Sequence, residues 1–190
     1  GVAYGNDIFT TVGFDGKIFT SPDGTTWTAQ TSGVTVRLNG VTFSTDKFVA
    51  VGNTGTILTS PDGTTWTAQT SGTGEGLYGV TFASGIFVTV GDSGKILTSQ
   101  DGATWTTQAS GSLNDFKNIS YGNGTFVTVG SAGTILASPD GITWNGQNTN
   151  IVNNLFGISY GNYTFVAVGA TGTIITSPDG TTWTSRTSGT

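Results

Sequence analysis

A seven-residue motif occurs five times in this chain, and the constant spacing of its copies constrains the fold more than any other feature of the sequence. The second copy, residues 60–66, reads Ser-Pro-Asp-Gly-Thr-Thr-Trp. A fixed period of about 20 to 50 residues is the signature of a repeat architecture. The copies, called heptads below, span residues 21–27, 60–66, 99–105, 138–144 and 177–183, which sets a period of 39 residues.

Each heptad has the composition of a tight turn followed by the start of a strand. Proline fixes its own φ, aspartate accepts hydrogen bonds from backbone N–H groups further along the turn, and glycine adopts positive φ. The threonines favour a strand, and a tryptophan is suited to packing between neighbouring repeats. Gln100 replaces the proline in the third copy, so the proline is not essential. We assign a structural role to the heptad residues Asp23, Trp27, Asp62, Trp66, Asp101, Trp105, Asp140, Trp144, Asp179 and Trp183.

Residues 40–78 serve as the type repeat, and they contain four strand-like segments without a helical pattern, at 40–43, 48–52, 56–59 and 65–70. Four antiparallel strands of this length form one blade of a β-propeller. We therefore predict a single all-β domain, a five-bladed β-propeller whose blades each keep their own four strands, without strand-swapped closure. We also expect Gly1 and Thr190 to lie close together. The predicted blades are residues 1–39, 40–78, 79–117, 118–156 and 157–190.

The heptad resembles the Asp-box, or BNR-like, repeat, whose pattern is Ser-x-Asp-x-x-x-Trp, and the resemblance covers all five repeats. In that family the motif lies on the turn between the third and fourth strands of a propeller blade and is structural. The family includes sialidases, secreted and cell-surface glycan-binding proteins, and photosystem assembly factors. The resemblance therefore implies a fold more than a function, and it favours an extracellular or cell-surface location. The near identity of the repeats indicates recent duplication or design.

The composition argues against several classes of function. Charged residues make up 9% of the chain, the net charge is −5, and the six basic residues are scattered, so nucleic-acid binding is not expected. The absence of cysteine and histidine excludes thiol chemistry, disulfides and the common zinc sites. Each heptad offers a single carboxylate, too few for a Ca²⁺ loop. We expect no cofactor, no metal, no membrane span and a monomeric protein.

Sequence differences between the repeats are concentrated in two sets of connections. These are the loops that join the fourth strand of one repeat to the first strand of the next, and the turns between the second and third strands. In an up-and-down sheet both sets lie on one face, and loops on a rigid scaffold commonly carry function. Neutral drift of exposed loops is the alternative interpretation. The candidate binding residues on this face are Arg37, Glu75, Tyr78, Asp92, Asn114, Asp115, Asn153 and Asn154.

The sequence is compatible with three functions. The first is a non-enzymatic scaffold or binding module that uses this face, with a lectin-like version in which Tyr78, Phe156 and Tyr163 stack on sugars. Near-identical shallow sites would gain avidity by multivalency. The second is a platform for a protein partner, which the residues do not separate from the lectin version.

The third function is a glycosidase, which the resemblance to sialidases brings in. That family clasps a carboxylate with three arginines, whereas this chain has only Arg37 and Arg186. A general two-carboxylate hydrolase would have to combine Glu75, the single glutamate, with Asp92 or Asp115. We therefore expect no enzymatic activity.

Overall fold

The computed structural model describes residues 1–189, and this part of the chain contains twenty strands in five sheets of four. Sheet 1 comprises β1 (Val2–Gly5), β2 (Ile8–Val12), β3 (Ile18–Ser21) and β4 (Thr28–Gln30). Sheet 2 comprises β5 (Leu38–Phe43), β6 (Phe48–Gly52), β7 (Ile57–Ser60) and β8 (Thr67–Gln69), and sheet 3 comprises β9 (Leu77–Ala83), β10 (Ile86–Gly91), β11 (Ile96–Ser99) and β12 (Thr106–Gln108). Sheet 4 comprises β13 (Phe116–Gly122), β14 (Thr125–Gly130), β15 (Ile135–Ser138) and β16 (Asn145–Gly146), and sheet 5 comprises β17 (Leu155–Gly161), β18 (Thr164–Gly169), β19 (Ile174–Ser177) and β20 (Thr184–Arg186).

Each sheet takes its four strands consecutively from the sequence and pairs them in that order. Sheets 1, 2, 4 and 5 have antiparallel ladders throughout, for example Val49 opposite Thr59. Within the described residues no strand is exchanged between sheets, which confirms the prediction of five four-stranded sheets that each keep their own strands. The expected proximity of Gly1 to Thr190 concerns a residue that lies outside the described part of the chain.

Sheet 2 shows how closely the strand bounds follow the sequence. The predicted second strand matches β6, but the first strand begins at Leu38 rather than Gly40. The pairing register shifts between Leu38 and Gly40, so Asn39 is an extra residue in a bulge. The side-chain Nδ2 of Asn39 donates to Asn53 Oδ1 at 3.0 Å and to the Leu77 carbonyl at 2.8 Å. The fourth strand is shorter than predicted, because the heptad turn extends to Trp66 before β8 begins.

A short 3₁₀ turn separates the second and third strands of every sheet. Its middle residue has positive φ, 55° at Thr54, and the glycine after it also does, 69° at Gly55. A Cβ at Gly55 would overlap the Thr73 carbonyl oxygen and lie 2.7 Å from Ser71 Oγ, so only glycine fits. The five turns are Phe14–Gly16, Asn53–Gly55, Asp92–Gly94, Ser131–Gly133 and Ala170–Gly172.

The heptads connect the third and fourth strands, and their polar side chains close the turn. In the second copy Asp62 Oδ1 accepts the backbone N–H groups of Thr64 and Thr65, both at 2.8 Å. Ser60 Oγ accepts the Gly63 N–H at 2.8 Å. The Trp66 indole N–H donates to the Gly63 carbonyl at 2.8 Å. The same three interactions recur in all five copies.

These hydrogen bonds determine the charge state of the heptad aspartates. Two backbone N–H groups point at one carboxylate oxygen of Asp62, first that of Thr65 and then that of Thr64, and they hold the pKa of Asp62 well below its usual 3.8. The pKa values of the other four heptad aspartates are lowered in the same direction, again with backbone N–H donors as the largest cause. Each heptad therefore carries a fixed negative charge at neutral pH.

The described chain divides into two compact units. Unit 1 comprises residues 1–89 and 97–107, and unit 2 comprises residues 90–96 and the chain from Gln108 onward. Apolar side chains of adjacent sheets form the core of each unit. In unit 1, Val49 and Val51 of sheet 2 are in one buried cluster with Phe87 of sheet 3. In unit 2, Val127 and Phe165 are fully buried in an equivalent cluster.

Candidate functional site

Backbone hydrogen bonds join the inter-repeat loops to the 3₁₀ turns in both units. In unit 1 the Asn53 N–H donates to the Arg37 carbonyl at 2.9 Å. In unit 2 the Ser131 N–H donates to the Asp115 carbonyl at 2.9 Å, and the Ala170 N–H donates to the Asn154 carbonyl at 2.8 Å. The two variable sets of connections are therefore neighbours, as the alternation of strand direction predicts.

Asp115 and Asn154 occupy the same repeat position and make the same contact in unit 2. Asp115 Oδ1 accepts the Ser93 N–H at 3.1 Å, and Asn154 Oδ1 accepts the Ala132 N–H at 2.9 Å. Ser93 and Ala132 are the middle residues of their 3₁₀ turns, with φ of 54° and 52°. Each of these side chains therefore joins its loop to the preceding turn, and one of its oxygens is occupied by that hydrogen bond.

Asn114 and Asn153 also share a repeat position, and they connect their loops to the following turn. The Asn114 amide donates to Thr134 Oγ1 at 2.6 Å. The Asn153 amide donates to Thr171 Oγ1 and Thr173 Oγ1, both at 2.8 Å. These two loops of unit 2 are thus hydrogen-bonded to the turns on both sides.

Lys117 lies between the two candidate acids of unit 2. Its ammonium nitrogen is 3.0 Å from Asp115 Oδ2 and 3.7 Å from Asp92 Oδ1. The Ser93 N–H and then the Lys117 ammonium lower the pKa of Asp115 from its usual 3.8. Asp115 is therefore an ion-paired base with little tendency to take up a proton.

The candidate residues of unit 1 lie in different surroundings. The Arg37 guanidinium lies over the exposed Phe14 ring, 4.2 Å from its centroid, in a cation–π contact. Glu75 is half-buried, and its N–H donates to Thr73 Oγ1 at 3.1 Å. Tyr78 is half-buried at the second position of β9.

The other candidate residues, Phe156, Tyr163 and Arg186, lie in unit 2 and do not form one site. Phe156 is near the start of β17, whereas Tyr163 is in the turn at the other end of the β17–β18 hairpin. The two rings therefore cannot form one stacking surface. Arg186 is exposed on β20, where its Nε–H donates to Thr176 Oγ1 at 2.8 Å.

A groove in unit 2 was not predicted from the sequence. It is open, has a volume of ≈ 540 Å³, and is lined by Ser112, Ala132–Leu136 and Gly146–Val152. Val152, which lines the groove, and Leu113, which directly follows the lining residue Ser112, are two of the most exposed apolar side chains of the described chain, at 81% and 88% exposure. These two residues occupy equivalent positions in successive loops, 39 residues apart.

The fourth repeat departs from the others where the groove forms. Its outer strand, β16, has two residues, whereas the outer strands of the other sheets have three. A Cβ at Gly146 would meet only Leu136 Cδ2, at 3.8 Å, so the missing side chain leaves room beside Leu136. Residues 148–150 read Asn-Thr-Asn where the type repeat has Thr-Ser-Gly at 70–72. This departure is the sequence signal that marks the groove.

Across residues 1–189 no three or more carboxylate, histidine or cysteine side chains converge as metal ligands would. In the same range, no helix has the length and apolar character needed to cross a membrane.

Comparisons with known proteins identify the class of fold. No protein-family model matches the chain, and no curated protein matches it. The solved structures that it resembles include YCF48 bound to D1 peptide, with a TM-score of 0.74 and 16% identity over 97% of this chain and 64% of that one. YCF48 from Cyanidioschyzon merolae has a TM-score of 0.69 and 16% identity over 97% of this chain and 68% of that one. A nidogen/laminin complex has a TM-score of 0.70 and 14% identity, over 93% of this chain and 74% of that one.

With five antiparallel four-stranded sheets and these structural neighbours, the protein is an all-β, five-bladed β-propeller. The chain spans 64% of the length of the YCF48 structure in complex with peptide. At 14–16% identity the likeness concerns the fold.

Replacing Asp115 with alanine tests the hydrogen bond between the Asp115 side chain and the Ser93 N–H of the preceding turn. We expect the free energy of unfolding to fall by about 1 kcal/mol, since the Ser93 N–H loses its acceptor and Lys117 loses its nearer partner at a partly exposed site. Asp115→Asn, which keeps an acceptor oxygen, should lose less. Urea unfolding of both variants measures the difference, and equal losses would contradict an acceptor role for Asp115.

Proposed function

We propose that this protein is a non-enzymatic binding module whose unit 2 groove takes an extended segment of a protein or peptide. The observation that carries the proposal is the exposure of Val152, which lines a concave surface, and of Leu113, which is next in the chain to the lining residue Ser112. Large apolar side chains that remain in water beside a groove are typical of interaction sites, where burial by a partner releases their hydration cost. Leu113 and Val152 would be the apolar anchors.

The groove wall supports a neutral ligand. Its lining residues carry amide, hydroxyl and apolar groups and no charged side chain. The amides of Gln147, Asn148 and Asn150 can pair with the backbone N–H and C=O groups of an extended peptide. A volume of ≈ 540 Å³ is within the usual range for ligand sites. This class of ligand is compatible with two of the similar structures. One is YCF48 bound to a peptide, and the other is a nidogen/laminin complex.

A random-peptide display library, selected on the purified chain, tests the proposal. We expect selected peptides to be rich in apolar residues and to bind at least about tenfold more weakly to a Leu113→Ser, Val152→Ser variant, since two apolar contacts are lost. Ile142→Ser is the matched control, because Ile142 is an exposed apolar side chain in a heptad, away from the groove lining. Failure to select any peptide, or an equal loss in the control, would contradict the proposal.

Carbohydrate binding is the second candidate, favoured by the neutral, amide-rich wall of the same groove. Amide and hydroxyl groups pair with sugar hydroxyls, which are both donors and acceptors. A glycan array probed with the wild type and with an Asn148→Ala, Asn150→Ala variant separates the two. Specific glycan binding that this variant loses would support a lectin, and a blank array alongside selected peptides would exclude it.

We also propose that the heptads are Asp-box repeats. Support comes from the Ser-x-Asp-x-x-x-Trp pattern in all five copies and from its place between the third and fourth strands. Their near identity is compatible with recent duplication or with design.

A further inference from the structure

Two hairpin turns of unit 2 carry the same short motif. The β13–β14 and β17–β18 hairpins each close through a two-residue turn. With the residue that follows, these turns read Asn-Gly-Thr at 123–125 and Asn-Tyr-Thr at 162–164, at equivalent repeat positions. Asn-x-Thr without proline in the middle is the acceptor pattern for N-linked glycans, provided that it lies on the surface of the folded protein. In both turns the asparagine and the residue after it are exposed.

The backbone of both turns suits asparagine and keeps its side chain in solvent. The φ angles of Asn123 and Asn162 are 47° and 46°, and the residues that follow them also have positive φ. Positive φ at both central residues is the conformation of a tight hairpin turn, and asparagine tolerates it better than most residues do. Each asparagine lies beyond the last residue pair of its ladder, so no neighbouring strand of its own sheet covers the amide.

The side-chain amides of these two asparagines are available for modification. Within residues 1–189 the Asn162 amide has no hydrogen-bond partner. The Asn123 amide donates to the Pro178 carbonyl at 3.4 Å, which is long for a hydrogen bond between nitrogen and oxygen. An asparagine amide has two N–H groups, so attachment of a sugar leaves one of them for this contact. A glycan at either turn therefore displaces no close interaction of the fold.

A third copy of the motif, Asn-Ile-Ser at 118–120, lies in a different environment. Asn118 is half-buried within β13, and its Oδ1 accepts the Ile119 N–H at 2.7 Å. Its repeat position is that of Gly40, where even a Cβ would lie 2.8 Å from the Tyr78 carbonyl oxygen. A position this crowded in the type repeat has no room for an oligosaccharide in the folded sheet.

We propose that Asn123 and Asn162 are N-glycosylation sites of this protein and that Asn118 is not one. The donor is an oligosaccharide linked to a lipid pyrophosphate, and a membrane-bound oligosaccharyl transferase catalyses the step. The asparagine Nδ2 forms a bond to C1 of the first sugar while the bond between C1 and the pyrophosphate oxygen breaks. The lipid pyrophosphate leaves with that electron pair, and Nδ2 loses one proton through a base of the transferase to water.

The two sites lie at the end of their sheets that is opposite the candidate groove. In sheet 4, β14 runs from Thr125, beside the Asn123 turn, to Gly130, beside the 3₁₀ turn whose residues Ala132 and Gly133 line the groove. Six residues of strand separate the two ends by about 20 Å. A glycan at Asn123 therefore leaves the groove open, and the glycosylation proposal does not depend on what the groove binds.

Secretion of the full chain from eukaryotic cells, behind a cleavable secretion signal, tests the proposal. Peptide N-glycosidase removes N-linked glycans and converts each acceptor asparagine to aspartate, which peptide mass spectrometry locates. We expect this conversion at Asn123 and Asn162 and none at Asn118. A reference glycoprotein secreted by the same cells checks that the transferase is active.

Matched variants of the hydroxyl residues avoid any change at the positive-φ asparagines. Thr125→Ala and Thr164→Ala should each lose one glycan, whereas Thr125→Ser and Thr164→Ser, which keep the motif, should retain both glycans. Ser120→Ala, which removes the third motif, should also retain both. A wild type secreted without glycans would overturn the proposal, and so would conversion at Asn118. A glycan at one turn alone would overturn it for the other turn, and the mapping of the wild type decides this even if a variant is not secreted.

Discussion

Replacing Gly55 with alanine is expected to lower the free energy of unfolding by about 3 kcal/mol or more, although the substitution adds a single methyl group. Two costs combine at this position. The residue has a φ of 69°, which costs an L-residue with a side chain about 1–2 kcal/mol. The new Cβ would also overlap the Thr73 carbonyl oxygen, and that oxygen belongs to a backbone that cannot swing aside like a flexible side chain.

Gly72 provides the matched control for this prediction. Its φ of 73° is close to that of Gly55, but a Cβ there would meet no atom within 4 Å. Gly72→Ala should therefore cost only the conformational term, about 1–2 kcal/mol. Urea unfolding followed by tryptophan fluorescence measures both variants. Equal losses would mean that the approach of Gly55 to Thr73 does not constrain the turn.

Acidification is expected to unfold the protein below about pH 4 through the five heptad aspartates. Their folded pKa values lie below the usual 3.8, so the unfolded chain binds protons first as the pH falls. The stability that they contribute is fully present above the unfolded pKa and is lost as the pH falls toward the folded pKa. The chain contains no histidine, so no imidazole contributes to the pH dependence of stability.

When the protein unfolds in acid, these five aspartates should together take up more than one proton and at most five. The slope of the free energy of unfolding against pH measures this number. Asp62→Asn is the control, since asparagine keeps an oxygen that accepts the Thr64 and Thr65 N–H groups but does not titrate in this range. That variant should show a shallower slope below pH 4, by about one proton. An unchanged slope would show that Asp62 does not contribute to acid unfolding.

The sequence predicted the repeat unit and most of the strands because their signals are local. The heptad closes its turn with hydrogen bonds between residues at most three positions apart, so its pattern is readable in one repeat. The start of β5 was missed because the bulge at Asn39 exists only against its partner strand. A register shift of this kind leaves no mark in the apolar pattern of a single strand.

The sequence pointed to the loops beside the 3₁₀ turns, but it did not predict the groove. Divergence between repeats did not distinguish side chains that bind a ligand from side chains that stabilise the loops. Asp115 and Asn154 are of the second kind, since a side-chain oxygen of each accepts a backbone N–H of a neighbouring turn. The groove was missed because it depends on the space that Gly146 leaves beside Leu136. Apolar loop residues cannot be assigned to surface or core without the surrounding structure.

Because every sheet is made of four strands consecutive in the sequence, and every heptad closes within seven residues, the order of synthesis matches the order of assembly. A repeat emerging from a ribosome already contains all the strands of its own sheet, and packing against the adjacent sheets of its unit then buries its apolar side chains. Loop closures of this length are fast and lose little chain entropy. We therefore expect folding to proceed sheet by sheet from the amino terminus, with few long-range pairings that could form between the wrong copies of such similar repeats.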